Sequence, residues 1–168
     1  YSILGILFSK NTLTWENGCY GNERMLDLFF RILTVMWAVI ILVGSCTSDP
    51  QLFIYTQYVH FEFQSAPNIS QLFIISDFQL NSTFFLFQKI GHFAGFALLF
   101  FFLFNWIENY KGTFVLCLMF ALLTEILQLY FHRNGRFYDV GVDTIGMIFG
   151  YFMCHYLYTK ATLKKDIV

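Results

Sequence analysis

Lys89 and His92, Glu125 and Gln128, and Asp139 and Asp143 are polar pairs, each set near one end of its own apolar segment. Lys89-x-x-His92 opens FQKIGHFAGFALLFFFLFNWI. Glu125-x-x-Gln128 closes FVLCLMFALLTEILQLYF. Asp139-x-x-x-Asp143 opens YDVGVDTIGMIFGYFMCHYLY. Residues three or four apart share a face of an α-helix, so each pair forms a stripe, and His132 would extend that of Glu125. An ionisable side chain inside a membrane segment is costly and usually faces a bundle interior or a wet cavity. Imidazole, carboxylate and ammonium groups meeting at one depth therefore suggest a site.

Glu125 is the sharpest position. It interrupts an otherwise uncharged run, so it must be paired, hydrated or protonated. His92 lies one turn deeper than Lys89 and can act as a base, an acid or a hydrogen-bond bridge. These two are the candidate general acid/base residues. Lys89 can pair with a carboxylate, bind an anionic headgroup or snorkel to the interface. Gln128 reads equally as interhelical glue. Arg133 and Arg136, in the turn HRNGRF, can clamp a phosphate or carboxylate, although an ordinary solvated turn would explain one of them. Asp139 suits the positive end of its helix dipole; Asp143, one turn deeper, lacks that explanation. The candidate binding set is Lys89, His92, Glu125, Gln128, Arg133, Arg136, Asp139 and Asp143. The two Asp carboxylates, His92 and Glu125 have donor types that bind a divalent cation. No metal-ligand motif such as H-E-x-x-H accompanies them, and the expectation is no metal and no cofactor. His60 and His155 are isolated and read as structural.

The elements that must position these residues follow from composition. The chain is 57% hydrophobic and 12% charged, an apolar load too high for a soluble domain. The fold class is all-α, an integral membrane helical bundle. Four runs near 28–46, 87–107, 112–131 and 138–158 are long enough to span. Successive spans point in opposite directions, so the start of the second, the end of the third and the start of the fourth share one membrane face. Gly91-x-x-x-Gly95 and Gly146-x-x-x-Gly150 are small-residue pairs expected to let the second and fourth spans pack closely. Residues 1–24 read as a separate N-terminal segment, with YSILGILF a remnant of a longer span or an interfacial stretch; 25–168 form the transmembrane domain. The net charge of −1 and the lack of a basic run give no sign of nucleic-acid binding.

Basic residues set the expected orientation. Lys10, Arg24, Arg31, Lys111, Lys160, Lys164 and Lys165 fall on one side, and only Lys89, Arg133 and Arg136 on the other. Both termini are then cytoplasmic and the polar pairs lie near the outer face. The connection 47–86 is external; in it QYVHFEFQ alternates like a strand, and Ile69, Leu72 and Phe73 suggest a short interfacial helix. Cys19, Cys46, Cys117 and Cys154 form no C-x-x-C and read as small hydrophobes. Val43-Gly44-Ser45-Cys46 also resembles a lipoprotein cleavage site, but Asp27 spoils the basic flank that such a signal needs.

KIGHFAGFALL, TEILQLY, an Arg-bearing turn and DVGVDTIGMIFG, in that order, resemble the VanZ-like family of bacterial membrane proteins over about Ser76 to Met153. Many members carry Asn where this chain has Asp143. The family usually has one Arg about six residues before the first Asp, after Pro-Gly. Here no Pro is present; Arg133 has the spacing and Arg136 follows a Gly. The resemblance implies a four- to five-helix protein of the cytoplasmic membrane and supplies no reaction. The family's namesake is associated with resistance to the glycopeptide antibiotic teicoplanin. The expected partner is a membrane lipid or lipid-linked wall precursor held in an outer-leaflet pocket. Catalysis on such a lipid and a purely structural network are the alternatives.

Overall fold

Apolar length builds the fold. The computed structural model describes residues 20–76 and 81–165. Its helices are α1 (Tyr20–Cys46), α2 (Pro50–Thr56), α3 (Thr83–Ile107), α4 (Tyr110–Tyr130) and α5 (Phe137–Lys165), with a 3-10 turn at Ile69–Phe73. Four segments are long and apolar enough to cross a membrane: Arg24–Cys46, Thr83–Ile107, Tyr110–Tyr130 and Phe137–Lys160. The shortest has 21 residues, or roughly 30 Å at the helical rise, the thickness of a hydrocarbon core. The chain is thus an all-α, multi-pass membrane protein. Most of the N-terminal segment 1–24, including Lys10 and Cys19, lies outside the described residues.

Local chemistry fixes the helix ends. The Ser82 hydroxyl accepts from Phe85 N and opens α3. Glu108 closes α3 in the left-handed conformation, with φ of 56°. Asn109 at once caps α4 by accepting from Gly112 N. Two residues therefore reverse the chain and make α3 and α4 antiparallel neighbours. At the far end of α4, Phe131 N and Arg133 N both donate to Gln128 O, each at 3.0 Å. His132 adopts a φ of 55° and leaves the helix exposed. It does not continue the stripe of Glu125 and Gln128.

The bundle packs around α3 and α5, which share its most extensive interface. A Cβ at Gly146 would lie 2.3 Å from Phe93 O, and one at Gly150 would lie 2.7 Å from Ala97 O. The α5 glycine pair thus admits the α3 backbone, as small residues do in membrane interfaces. The α3 pair does something else. Among the described residues, a Cβ at Gly91 would meet nothing within 4 Å, and one at Gly95 would meet only the Ile41 side chain at 3.7 Å, an ordinary contact. Gly91 is therefore not a packing residue, because the close face of α3 runs through Phe93 and Ala97. Phe96, Phe100, Ala121, Met147, Cys117 and Cys154 fill the core. The three described cysteines, Cys46 among them, are free and buried. α1 docks on α3, where Trp37 Nε1 donates to Gly95 O at 2.9 Å. Its other face exposes Leu28, Val35 and Val39, the surface a span presents to lipid.

The connection between α1 and α3 differs from expectation. Asp49 caps a short helix α2 by accepting from Gln51 N and Leu52 N, with Pro50 in its first turn. The alternation in QYVHFEFQ forms no strand; the segment is extended, and Ser48 N donates to His60 O at 2.7 Å. Ile69–Phe73 does form a short helix, of the 3-10 type, capped by Asn68, with Leu72 buried while Ile69 and Phe73 face outward.

Candidate membrane-embedded polar site

The beginnings of α3 and α5 and the end of α4 meet at one end of the bundle. On α3, Lys89 Nζ donates to Asp139 Oδ1 of α5 at 2.5 Å. The ammonium also lies 4.6 Å from the centre of the Phe85 ring and 4.9 Å from that of Tyr138, so aromatic faces replace part of its lost hydration. One turn deeper, His92 Nδ1 lies 3.0 Å from Asp143 Oδ1. The i, i+3 spacing on α3 thus matches the i, i+4 spacing on α5, and two polar rungs stack across one interface. Asp143 is fully buried, and its Oδ2 has no hydrogen-bond partner among the described residues.

Glu125 reaches the same place from α4. Gln128, one turn on, donates from Nε2 to Glu125 Oε1 at 3.1 Å. Arg136 donates its backbone N–H to Glu125 Oε2 at 2.8 Å. That bond depends on Gly135, where a Cβ would lie 2.1 Å from Glu125 O. Only a residue without a side chain lets the turn fold so closely onto α4. Donor atoms of His92, Glu125 and Asp143 all fall within 4.8 Å of one another.

The two guanidinium groups face the connecting segments. Arg133 Nη1 donates to Gly44 O at 3.1 Å and Thr47 O at 3.2 Å, which ties the turn to the end of α1. Burial pulls the Arg133 guanidinium below its ordinary value, against the raising effect of Glu125. Arg136 Nη1 donates to Gln71 O at 2.9 Å and to Gly135 O at 3.1 Å. Gln64 N donates to Tyr130 O at 2.9 Å, and Gln64 Nε2 donates to Leu129 O. The connection between α1 and α3 is thereby fastened across the polar end of the bundle. Exposed Tyr55, Tyr58, Phe61, Phe63 and Phe73 decorate it.

His92, Glu125, Gln128 and Asp143 thus form one cluster, Lys89 and Asp139 the adjoining ion pair, and Arg133 and Arg136 the bolts that hold the cover. Gly135, Thr47, Gln64 and Gln71 were not singled out from sequence. The pattern N-G in HRNGRF was the available signal for Gly135, since that dipeptide marks a tight turn. Thr47 and Gln71 carry no periodic signal, and Gln64 only the alternation of QYVHFEFQ, which does not point to its partners. His60 lies apart from the cluster and stacks on Tyr58; His155 stacks on Tyr151.

Groups of these types, buried together, are able to exchange a proton, form hydrogen bonds or hold a cation. The VanZ/LLP1 family model matches residues 29–158. The uncharacterized membrane protein YwnJ of Bacillus subtilis (strain 168) is 33% identical over 136 residues, which cover 81% of this chain and 94% of that protein. No solved structure matches the chain. The matched region contains every residue of the cluster and all four spans except residues 24–28 of the first and 159–160 of the last, and on that extent the chain belongs to the VanZ/LLP1 family.

Proposed function

We propose that this protein binds the headgroup of an anionic or amphipathic cell-envelope molecule, such as a phospholipid or lipid-linked wall precursor, in the outer leaflet of a bacterial cytoplasmic membrane. Both termini would be cytoplasmic. The observation that carries the reading is the convergence of His92, Glu125 and Asp143 within 4.8 Å at the end of the bundle. Counted along their helices, the three lie within about two and a half turns of the same end of the bundle, which suits a site reached from the headgroup region. The aromatic side chains on the covering segment suit the same interfacial zone. Protection against a glycopeptide such as teicoplanin would follow if the bound molecule is the antibiotic's target or its lipid neighbour.

A second reading has its own support. His92 hydrogen-bonded to Asp143, with Glu125 beside them, pairs an imidazole with an orienting carboxylate and a second acid. This is the constellation for general acid/base work on a lipid-linked substrate.

Glu125→Gln tests the headgroup reading, because it keeps the shape and removes the charge. Teicoplanin susceptibility, or growth under envelope stress, is to be measured alongside protein abundance and thermal stability. The expected result is loss of protection at near-normal abundance. Protection that simply follows abundance would assign the cluster to helix packing instead.

A further inference from the structure

We infer that His92, Glu125 and Asp143 form a binding site for one divalent transition-metal ion of the zinc type. The inference rests on the headgroup reading only for its last step.

The donor set is one imidazole and two carboxylates, a mixture that suits zinc and its first-row neighbours. It comes from three helices, so the site exists only in the folded bundle. The donor atoms lie within 4.8 Å of one another, and the His92 and Asp143 pair is already at 3.0 Å. Ligands that share an ion at about 2.1 Å sit roughly 3–4 Å apart. About 1 Å of side-chain adjustment closes the set.

An independent observation points inward. Asp143 Oδ2 is fully buried and has no hydrogen-bond partner among the described residues. A buried carboxylate oxygen left without a donor is costly. Its sister oxygen is engaged by His92, so Oδ2 is the atom that lacks a hydrogen-bond donor among the described residues.

The surrounding groups behave as supports. Gln128 Nε2 and Arg136 N each donate to one Glu125 oxygen. Every carboxylate oxygen has a further lone pair, so these bonds orient the group and leave it able to coordinate. Once both carboxylates coordinate a cation they are ionised, and at this depth they need balancing charge. Lys89 is paired with Asp139, and Arg133 Nη1 donates to the carbonyls of Gly44 and Thr47. A divalent cation would neutralise Glu125 and Asp143 together.

Three protein ligands leave a coordination position open. A phosphate oxygen of an anionic headgroup would complete the shell, and the cation would remove the repulsion that two carboxylates otherwise impose on it. The metal thus explains how an acidic cluster accepts an anionic molecule.

The test uses the full chain purified in detergent, with any polyhistidine tag removed. Zinc alone is titrated by calorimetry, and bound metal is counted by mass spectrometry after exhaustive dialysis. Wild type should retain about one zinc per chain, while Glu125→Gln and Asp143→Asn should bind it at least tenfold more weakly. Monodispersity on size exclusion checks their folding, and His92→Gln serves as a third variant if either aggregates. Wild type that binds no zinc, or variants that bind it equally, would overturn the metal site. Vesicles containing phosphatidylglycerol, with and without chelator, separate the two readings. Vesicle binding that needs Glu125 but survives chelation, with no zinc bound, leaves the headgroup reading standing and refutes the metal; the carboxylates then share a proton. Zinc binding without vesicle binding supports the metal and counts against the headgroup.

Discussion

Gly135 lies so close to Glu125 that a Cβ on it would stand 2.1 Å from the Glu125 carbonyl oxygen. The contact is between backbones, so nothing flexible can yield. Gly135→Ala must shift the turn and lose the bond from Arg136 N to Glu125 Oε2. The expected cost is about 2–4 kcal/mol, the range for overpacking plus a broken buried hydrogen bond. A thermal-unfolding comparison in detergent checks it. Wild-type melting for the Ala variant would show that the turn can relax.

The glycines of α3 and α5 should respond in opposite ways. Gly146→Ala places a methyl group 2.3 Å from Phe93 O and should separate the two helices. Gly91→Ala meets nothing within 4 Å among the described residues and, by removing a helix-interior glycine, should raise stability by about 0.4–1 kcal/mol. Equal effects in a melting assay would contradict the packing described for this interface.

Lys89 and Asp139 offer a double-mutant test. Their side chains are 13% and 4% exposed, so either single truncation strands a charge. Lys89→Met alone and Asp139→Asn alone should each destabilise by about 3 kcal/mol. The double variant should cost clearly less than the sum. Additive losses would mean that the pair contributes no mutual stabilisation.

Topology can be read by chemical labelling. Ser65 is exposed on the covering segment, on the side carrying fewer basic residues. A Ser65→Cys variant in a chain with Cys19 replaced by Ser should react with an impermeant thiol reagent in intact cells, while the buried Cys46, Cys117 and Cys154 stay silent. Reaction only after lysis would invert the orientation and place the cluster at the inner face.

The spans and the place of each polar residue along its helix were legible in the sequence, because hydrocarbon thickness fixes how many apolar residues a span needs. Helix rotation was less so. The α5 glycines do mark the face that meets α3, but Gly91 carried the same motif without the contact. A G-x-x-x-G records small residues, not the neighbour that uses them. The inward turn of Glu125 had no flanking pattern to announce it; it is secured by Gly135 and Arg136, ten and eleven residues along the chain. In the connection, alternation at Val59, Phe61 and Phe63 mimicked a strand. Its backbone groups instead bond to residues far away in sequence, such as Gln64 to Tyr130, and short-range periodicity carries no record of such partners.

The partners of Glu125 have a consequence for biogenesis. Both of its carboxylate oxygens accept hydrogen bonds from within the hairpin of α4, the turn and the start of α5. Asp139 and Asp143 depend instead on Lys89 and His92, which belong to an earlier-synthesised helix. As the chain leaves the ribosome, α4 therefore acquires its own shielding once the hairpin closes. α5 can enter the bilayer at low cost only where α3 already waits. The order of synthesis and the order of charge satisfaction coincide, and a permuted chain that delivers α5 before α3 would meet the membrane with two bare carboxylates.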